Sequence, residues 1–219
     1  MTPATAPLLY LITDGQTNAA TTPDSHEFLR LLNLIQAAVA ARLAFAQIRE
    51  KALPTLVLYE LARRAVALTR GSATRLLIND RADVARAAGA DGAHLTAQSL
   101  DTATVRRAFG PDFLIGVSTH TLDQARAAQS GGADLIVFGP VFATPSKLVY
   151  GPPAGLDKLA EIVDVVKPCP VFALGGVTLA NAPQALATGA AGIAGISLFN
   201  GATNLSATVA RLQRNRQKS

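Results

Sequence analysis

The chain has 219 residues, of which 49% are hydrophobic and 16% are charged, with a formal net charge of +5 and a single cysteine. Such a composition is the reverse of a disordered chain, a lone Cys169 excludes a disulfide framework, and the length suits one or two domains with a sizeable core. No apolar run approaches the roughly 20 residues needed to cross a bilayer, so we expect no membrane partner.

Short apolar, β-branched runs recur along the chain and predict eight β-strands. These strands are Leu8–Ile12, Ala44–Ile48, Arg75–Ile78, Gly92–Leu95, Phe113–Val117, Asp134–Phe138, Pro170–Leu174 and Gly192–Ile196. Between them, apolar residues recur at three- and four-residue steps, as in 28–39, 56–68 and 156–166, which predicts amphipathic helices. Strands that alternate with helices predict a parallel sheet.

Three degenerate repeats, at 88–95, 131–138 and 188–196, place a glycine where a helix ends and the next strand follows. Eight βα units in about 200 residues suit a compact (β/α)8 barrel. A doubly wound sheet would alternate in the same way, but no G-x-G-x-x-G motif follows the first strand. Because no linker or charge block marks a boundary, we predict one α/β domain over 1–219, a single-domain (β/α)8 TIM barrel.

The two ends of the chain, residues 1–7 and 211–219, differ from the rest in composition. Residues 1–7 lack the basic segment of a signal peptide, which predicts a short flexible N-terminus in a cytoplasmic protein. A basic tail over 211–219 holds four cations, and without them the net charge is +1. No aromatic side chain interleaves with those cations, so we expect no nucleic-acid partner.

Polar residues follow nearly every predicted strand, at the end of the barrel where such folds carry their active sites. Gln47, Arg49 and Lys51 fall on one side of an extended segment after the second strand. One amide with two cations predicts a phosphate or diphosphate site. The alternative is a solvated loop in which Glu50 forms local ion pairs.

Asn79 and Asp80, at the end of the third predicted strand, favour the diphosphate interpretation. Mg²⁺ is usually held by one or two carboxylates together with phosphate oxygens, so we expect this ion beside the two cations. Gly175-Gly176 and Ile196-Ser197 follow the last two strands, where many barrels bind a phosphate on backbone N–H groups. The two regions together predict a diphosphate with a metal and a separate monophosphate.

The three histidines differ in their setting. His26 is predicted to lie at the surface and His94 to be a core-edge histidine with its hydrogen bonds satisfied. His120, close to Ser118, points toward the barrel mouth and is a candidate acid or base. Cys169 lies between two prolines before a buried strand and is predicted to be inert.

Several motifs occur in order and at compatible spacing between about Leu9 and Phe199. They are Leu11-Ile-Thr-Asp14, Gln47-Ile-Arg-Glu-Lys51, Ile78-Asn-Asp80, Asp91-Gly-Ala-His-Leu95, Gly116-Val-Ser-Thr-His120, Gly139-Pro-Val-Phe-Ala-Thr-Pro-Ser-Lys147, Leu174-Gly-Gly-Val177 and Ile196-Ser197. On these motifs the chain resembles the family of thiamine-phosphate synthase and thiazole tautomerase, with the synthase favoured. The resemblance implies a transferase that moves a hydroxymethylpyrimidine group from its diphosphate to a thiazole phosphate, with Mg²⁺.

The resemblance also implies a role for each matching residue. The pyrimidine diphosphate would be held by Gln47, Arg49, Lys51, Asn79 and Lys147, with Asp80 on the metal and Ser118 near the pyrimidine amine. The thiazole phosphate would be held by Thr144, Ser146, Gly176, Ile196 and Ser197. The candidate catalytic residues are Ser118, Lys147, Arg49 and His120. We expect small molecules as partners, and a homo-oligomer stays an open alternative.

One position departs from the pattern of the synthases. Their second metal-binding Asp falls on Ser99, after Thr96-Ala97, and Asp101 would substitute only if its loop bends toward the metal. A hydroxyl is a far weaker Mg²⁺ ligand than a carboxylate. The tautomerases also lack this Asp and use a histidine in the segment that matches Ser118-Thr-His120, which makes them the main alternative. A barrel that binds such phosphates without catalysis is the third hypothesis.

Overall fold

The structure, a computed structural model, describes residues 6–144 and 152–214. Its eight parallel strands are Leu8–Ile12 (β1), Phe45–Ile48 (β2), Arg75–Asn79 (β3), Gly92–Leu95 (β4), Leu114–Thr119 (β5), Leu135–Phe138 (β6), Val171–Ala173 (β7) and Gly192–Gly195 (β8). Each strand pairs with the next, and β1 also pairs with β8, so the sheet closes on itself. Closure confirms the (β/α)8 barrel and excludes the doubly wound alternative.

Helices separate the strands along the chain and surround the barrel. They are His26–Ala40 (α1), Thr55–Thr69 (α2), Ala82–Ala88 (α3), Thr102–Phe109 (α4), Leu122–Ser130 (α5), Gly155–Val165 (α6), Ala182–Ala187 (α7), Ser197–Asn200 (α8) and Leu205–Arg214 (α9). The three helices predicted from apolar periodicity are α1, α2 and α6. Within the two described ranges, no helix combines the length and apolarity needed to span a membrane.

The repeats mark the ends of helices, as predicted. Gly89, Gly132 and Gly189 all have positive φ, at 75°, 88° and 91°, in the left-handed region that favours glycine. Each of these residues closes a helix and reverses the chain into the following strand.

Two strands extend beyond their predicted ends, and both extensions bear on the site. Asn79 pairs with His94 across β3 and β4, and Ser118 pairs with Val137 across β5 and β6. Polar side chains end an apolar run in the sequence, but the backbone ladder continues because neighbouring strands still satisfy its hydrogen bonds. Asn79 and Ser118 are therefore part of the barrel wall and do not lie on loops.

The core has two parts. A large apolar layer lies between the sheet and the helices, and a smaller cluster fills the inside of the barrel. In the smaller cluster the ring of Tyr10 lies 5.5 Å from that of Phe45 and 5.8 Å from that of Phe172, measured between centroids. This aromatic floor closes the barrel beneath the polar residues of its mouth.

Three groups of predicted residues lie outside the described ranges. They are Ser146 and Lys147, residues 1–5, and the last part of the basic tail at 215–219. The described part of that tail, with Arg211 and Arg214, forms the last turn of α9.

Candidate functional site

A chain of three polar side chains crosses the mouth from β2 to the turn after β3. The amide nitrogen Nε2 of Gln47 donates to Asn79 Oδ1 at 2.9 Å, and Asn79 Nδ2 donates to Asp80 Oδ2 at 2.9 Å. A carboxylate can only accept, so Asp80 sets the direction of both amides. Gln47 Oε1 is then left buried, with no hydrogen-bond partner among the described residues. Such an acceptor is expected to be paired, which favours a donor from a ligand.

Asp80 has an uncommon backbone conformation that aims its side chain. Its φ is 60°, in the left-handed region, and Arg81 N donates to Asn79 O at 2.8 Å across this tight turn. Asp tolerates this region better than most residues, although at some cost in strain. The turn directs the carboxylate toward the loop after β4, which holds Thr96 and Ser99.

The loop after β4 brings two hydroxyl groups to the Asp80 carboxylate. Thr96 Oγ1 donates to Asp80 Oδ1 at 3.0 Å, and Ser99 Oγ donates to the same oxygen. Position 99 therefore faces Asp80, where the resemblance puts a second carboxylate. Asp101 is engaged elsewhere: it caps α4, accepting from Thr104 N at 2.9 Å and from Thr104 Oγ1 at 2.7 Å. The structure does not bring Asp101 to Asp80.

The oxygen atoms of Asp80, Thr96 and Ser99 suit a hard cation only in part. One carboxylate and two hydroxyls are oxygen ligands of the kind Mg²⁺ prefers, but a single charge leaves most of the coordination shell to waters and to ligand phosphates. No group of three or more His, Cys, Asp or Glu side chains that could hold a metal occurs in 6–144 or 152–214. The described residues would fit Mg²⁺ only if a ligand supplied much of its coordination shell.

Arg49 and Lys51 follow β2 at the edge of the mouth. The backbone N of Arg49 donates to Thr13 Oγ1 at 2.8 Å, which ties this segment to the end of β1. Among the described residues, neither the guanidinium of Arg49 nor the ammonium of Lys51 has a hydrogen bond or an ion pair. Arg49 is half-buried and Lys51 is exposed.

Glu50, between the two cations, is the residue whose role the sequence did not reveal. It is 3% exposed and accepts hydrogen bonds from Gly15 N at 3.1 Å, Thr17 N at 3.2 Å and Thr17 Oγ1 at 2.7 Å. The alternative of a solvated loop with local ion pairs is therefore wrong for this residue. Glu50 instead fastens the loop after β1 beneath Arg49.

A second line of polar groups links the floor of the barrel to the mouth. Tyr10 Oη lies 3.0 Å from His94 Nδ1, and His94 Nε2 lies 2.8 Å from Ser118 Oγ. His94 is 1% exposed, and this burial lowers the pKa of its imidazole to about 4. The core-edge histidine with satisfied hydrogen bonds is confirmed. The contact with Ser118 also connects it to a predicted site residue.

His120 lies at the rim and turns away from this line. Its ring nitrogen Nδ1 contacts the carbonyl oxygen of Gly139, and its backbone N donates to Gln124 Oε1 at 2.7 Å. No hydrogen bond joins the ring to Ser118 in the described structure. Ser118 and His120 are therefore close in sequence but do not form an acid-base pair in the described structure.

The loops after β6 and β7 pack closely on the opposite side of the mouth. Phe142 N donates to Gly175 O at 3.0 Å, and a Cβ on Gly176 would lie only 2.5 Å from Ala143 O. Gly176 also has a φ of 63°, so both the space and the backbone require glycine there. This contact places Gly176 beside the segment that leads to Thr144.

The loop after β8 completes the ring of strand ends. Ile196 precedes α8, which begins at Ser197, so the first N–H groups of this short helix have no partners within the helix. Asn200 Nδ2 donates to Ile12 O at 2.7 Å and thereby fastens α8 to the end of β1. Backbone N–H groups at the start of α8 and at the turn of Gly176 can donate hydrogen bonds to a small anion.

Comparisons with known proteins agree on one family. A family model described as thiamine monophosphate synthase matches residues 9–199. A protein of Geobacter sulfurreducens is 48% identical over 189 residues, 86% of this chain and 84% of its own length. The thiamine-phosphate synthase of Anaeromyxobacter dehalogenans is 43% identical and covers 81% of this chain and 79% of its own. The structure of thiamine phosphate pyrophosphorylase from Pyrococcus furiosus superimposes with a TM-score of 0.81 at 31% identity, covering 96% of both chains.

Replacement of Glu50 by Ala tests its role as an anchor. The change removes the acceptor of three hydrogen bonds and leaves the two donors of buried Thr17 unpaired, so we expect the free energy of unfolding to fall by about 3 kcal/mol in urea titrations. Glu161→Ala, which removes an exposed ion pair with Lys158, is the matched control and should cost no more than about 0.5 kcal/mol. Equal losses in the two variants would contradict the anchor.

The burial of His94 predicts a pH dependence of stability. The unfolded chain protonates this ring near its ordinary pKa of 6.5, whereas the folded protein does so only near 4. Stability is therefore full above pH 6.5 and is lost as the pH falls toward 4, by about 3 kcal/mol through this residue. NMR titration of the folded protein should show the low pKa directly. A ring that titrates near pH 6.5 would refute the prediction.

Proposed function

Because this chain belongs to the thiamine monophosphate synthase family, we propose that it transfers a hydroxymethylpyrimidine group from its diphosphate to thiazole phosphate. The bond between the pyrimidine methylene carbon and the diphosphate oxygen breaks. The thiazole nitrogen forms a new bond to that carbon, and the products are thiamine phosphate and pyrophosphate. The enzyme is a transferase that acts on small molecules, and we place it in the cytoplasm with no nucleic-acid partner.

One observation carries this proposal. Arg49 and Lys51 are cations without partners among the described residues, and they directly follow β2, the strand whose Gln47 begins the hydrogen-bonded chain to Asn79 and Asp80. A leaving diphosphate develops negative charge as its bond to carbon breaks, and cations already in place stabilise that charge. The bidentate guanidinium of Arg49 and the mobile ammonium of Lys51 suit such a group.

The other side chains hold the two organic groups. Gln47 and Ser118, on the wall above the aromatic floor, would hold the pyrimidine ring, and Lys147 would add a third cation to the diphosphate. The thiazole phosphate would lie across the mouth, on Gly176, Thr144, Ser146 and the backbone of Ile196 and Ser197. Holding the acceptor close to the carbon that loses its leaving group supplies much of the rate.

Asp80 would hold the Mg²⁺ ion, with the hydroxyl of Ser99 beside it. The ion would supply positive charge to the diphosphate oxygens. Since the protein offers one carboxylate, the diphosphate has to provide a large part of the coordination shell. The residues of this chain therefore favour a metal that arrives with the substrate.

The alternatives give no role to the two cations, Arg49 and Lys51, that have no partner in the part of the chain that the structure describes. A thiazole tautomerase needs an acid-base group at His120 but has no diphosphate for Arg49 and Lys51 to bind. A barrel that only binds a thiazole phosphate likewise has no diphosphate for these two cations to bind. The synthase uses both cations, which is why we favour it over the two alternatives.

The direct experiment incubates the purified protein with hydroxymethylpyrimidine diphosphate, thiazole phosphate and Mg²⁺. Thiamine phosphate is followed by the fluorescence of its oxidised form, with and without a chelator. We expect product that depends on the metal. Without product, the carboxythiazole phosphate tests the tautomerase, and binding without turnover of either substrate would leave the binding protein.

Arg49→Ala tests the role of the cations. We expect kcat/KM to fall by about 10²–10³-fold, because the variant loses a charge-assisted contact in a site with little solvent. The control is Arg126→Ala, which removes a guanidinium that is 56% exposed on α5. It should retain normal turnover. Lys147→Ala is expected to behave like Arg49→Ala, and near-normal turnover in the Arg49 variant would contradict the diphosphate site.

Ser99→Asp tests the metal position. A second carboxylate facing Asp80 should lower the Mg²⁺ concentration that gives half the maximal rate by about tenfold. The same variant should bind Mg²⁺ alone more tightly in calorimetry, a readout that does not need turnover. Asp101→Asn keeps the cap on α4 and serves as control, with no expected change. An unchanged Mg²⁺ requirement in Ser99→Asp would show that position 99 does not reach the ion.

A further inference from the structure

The line of Tyr10, His94 and Ser118 defines the direction of every hydrogen bond along it. We propose that Tyr10 and His94 are positioning residues that hold the hydroxyl proton of Ser118 toward the barrel mouth, so that Ser118 meets its ligand as a hydrogen-bond donor. The proton arrangement stands on the geometry alone. Its use in catalysis rests on the proposed function.

Tyr10 supplies the first constraint. Its side chain is fully buried, and its hydroxyl has one hydrogen-bond partner among the described residues, His94 Nδ1 at 3.0 Å. Burial also raises the pKa of this phenol well above 10, so the proton stays on the oxygen. A buried O–H group needs an acceptor, and Nδ1 is the acceptor within reach.

The imidazole transmits this constraint. A neutral ring has one N–H group, and this buried ring lies between two hydroxyl groups, with no carboxylate hydrogen-bonded to either nitrogen among the described residues. If Nδ1 accepts from Tyr10, the ring proton lies on Nε2, 2.8 Å from Ser118 Oγ. Nε2 therefore donates to Ser118, and the serine proton is directed elsewhere.

The ring is also packed closely on two sides. A Cβ at Gly116 would lie 2.7 Å from His94 Nδ1, so the glycine of β5 makes room for the ring at this height of the barrel. The ring also packs edge-on against Tyr10, with centroids 5.7 Å apart. These contacts accompany the two hydrogen bonds that orient the ring nitrogens.

The reversed arrangement is the one competitor. With the ring proton on Nδ1, Tyr10 would accept from the ring and its own proton would point into the aromatic floor without an acceptor. Leaving a buried donor unpaired disfavours a state by about ten- to a hundredfold. The arrangement that starts at Tyr10 is therefore the dominant one.

This direction gives the floor of the site a definite pattern. Ser118 offers a donor, while the unpaired Oε1 of Gln47 offers an acceptor whose direction is set by Asn79 and Asp80. A ligand edge that carries an acceptor beside a donor is complementary to this pair. Tyr10 makes no contact with the ligand in this scheme and acts only through His94.

The proton arrangement is tested on the wild-type protein by ¹⁵N NMR of its histidines. The chain has three, and His26→Gln and His120→Gln assign His94 by elimination. We expect His94 to carry its proton on Nε2 at neutral pH. A ring with its proton on Nδ1, or a charged ring, would overturn the proposal. This measurement needs neither substrate nor turnover.

The use of this arrangement is tested by a double-mutant cycle in the synthase assay. Tyr10→Phe should lower kcat/KM about tenfold, and it should cause no further loss in a Ser118→Ala background, because both changes remove the same directed donor. Tyr59→Phe removes a hydroxyl from α2, outside the barrel, and is the control with unchanged activity. Multiplicative losses, or an active Tyr10→Phe, would refute the positioning role. An inactive wild type would refute the proposed function and leave the NMR result to decide the proton arrangement.

Discussion

The site depends on the requirement that buried polar groups be paired, and on the few partners that a closed barrel allows them. In the first line, Asp80 can only accept hydrogen bonds. In the second, His94 Nδ1 is the one acceptor that Tyr10 contacts among the described residues. The amides and the imidazole in these lines each have a fixed number of donors. Once the two ends are set, the hydrogen bonds along both lines have a single consistent direction. Ser118 and Gln47, which face the mouth, are therefore oriented by their neighbours before any ligand binds.

Closure of the sheet explains why residues far apart in the chain form these lines. The carboxyl ends of eight strands meet in one ring, so Tyr10 from β1 reaches His94 from β4, and Gln47 from β2 reaches Asn79 from β3. Tyr10 and His94 are both buried, so the hydrogen bond between them forms away from water and is strengthened. The cations at the edge remain unpaired among the described residues because the nearby carboxylate of Glu50 is engaged in anchoring a loop.

Much of the fold could be predicted because apolar periodicity and glycine at helix ends are local signals. The site residues at the strand ends followed from the same pattern, since strand ends converge in a barrel. The burial of Glu50 could not be predicted, because the sequence Arg49-Glu50-Lys51 is compatible with a solvated side chain and with a buried one. Nor does sequence spacing show that His94, not His120, contacts Ser118, because side-chain direction depends on the register between strands.

The position of Asn79 and Ser118 on strands divides the site into two mechanically different halves. Groups on the wall move only if the ladder moves, whereas Arg49, Lys51 and the segment after β6 lie on connections between elements. In the proposed function, shape discrimination would belong to the wall, where Asn79 and Ser118 are held in place by the strands. In the proposed function, the long side chains of Arg49 and Lys51 would follow an anion as it changes from an esterified to a free diphosphate, while the backbone of Arg49 stays tied to Thr13.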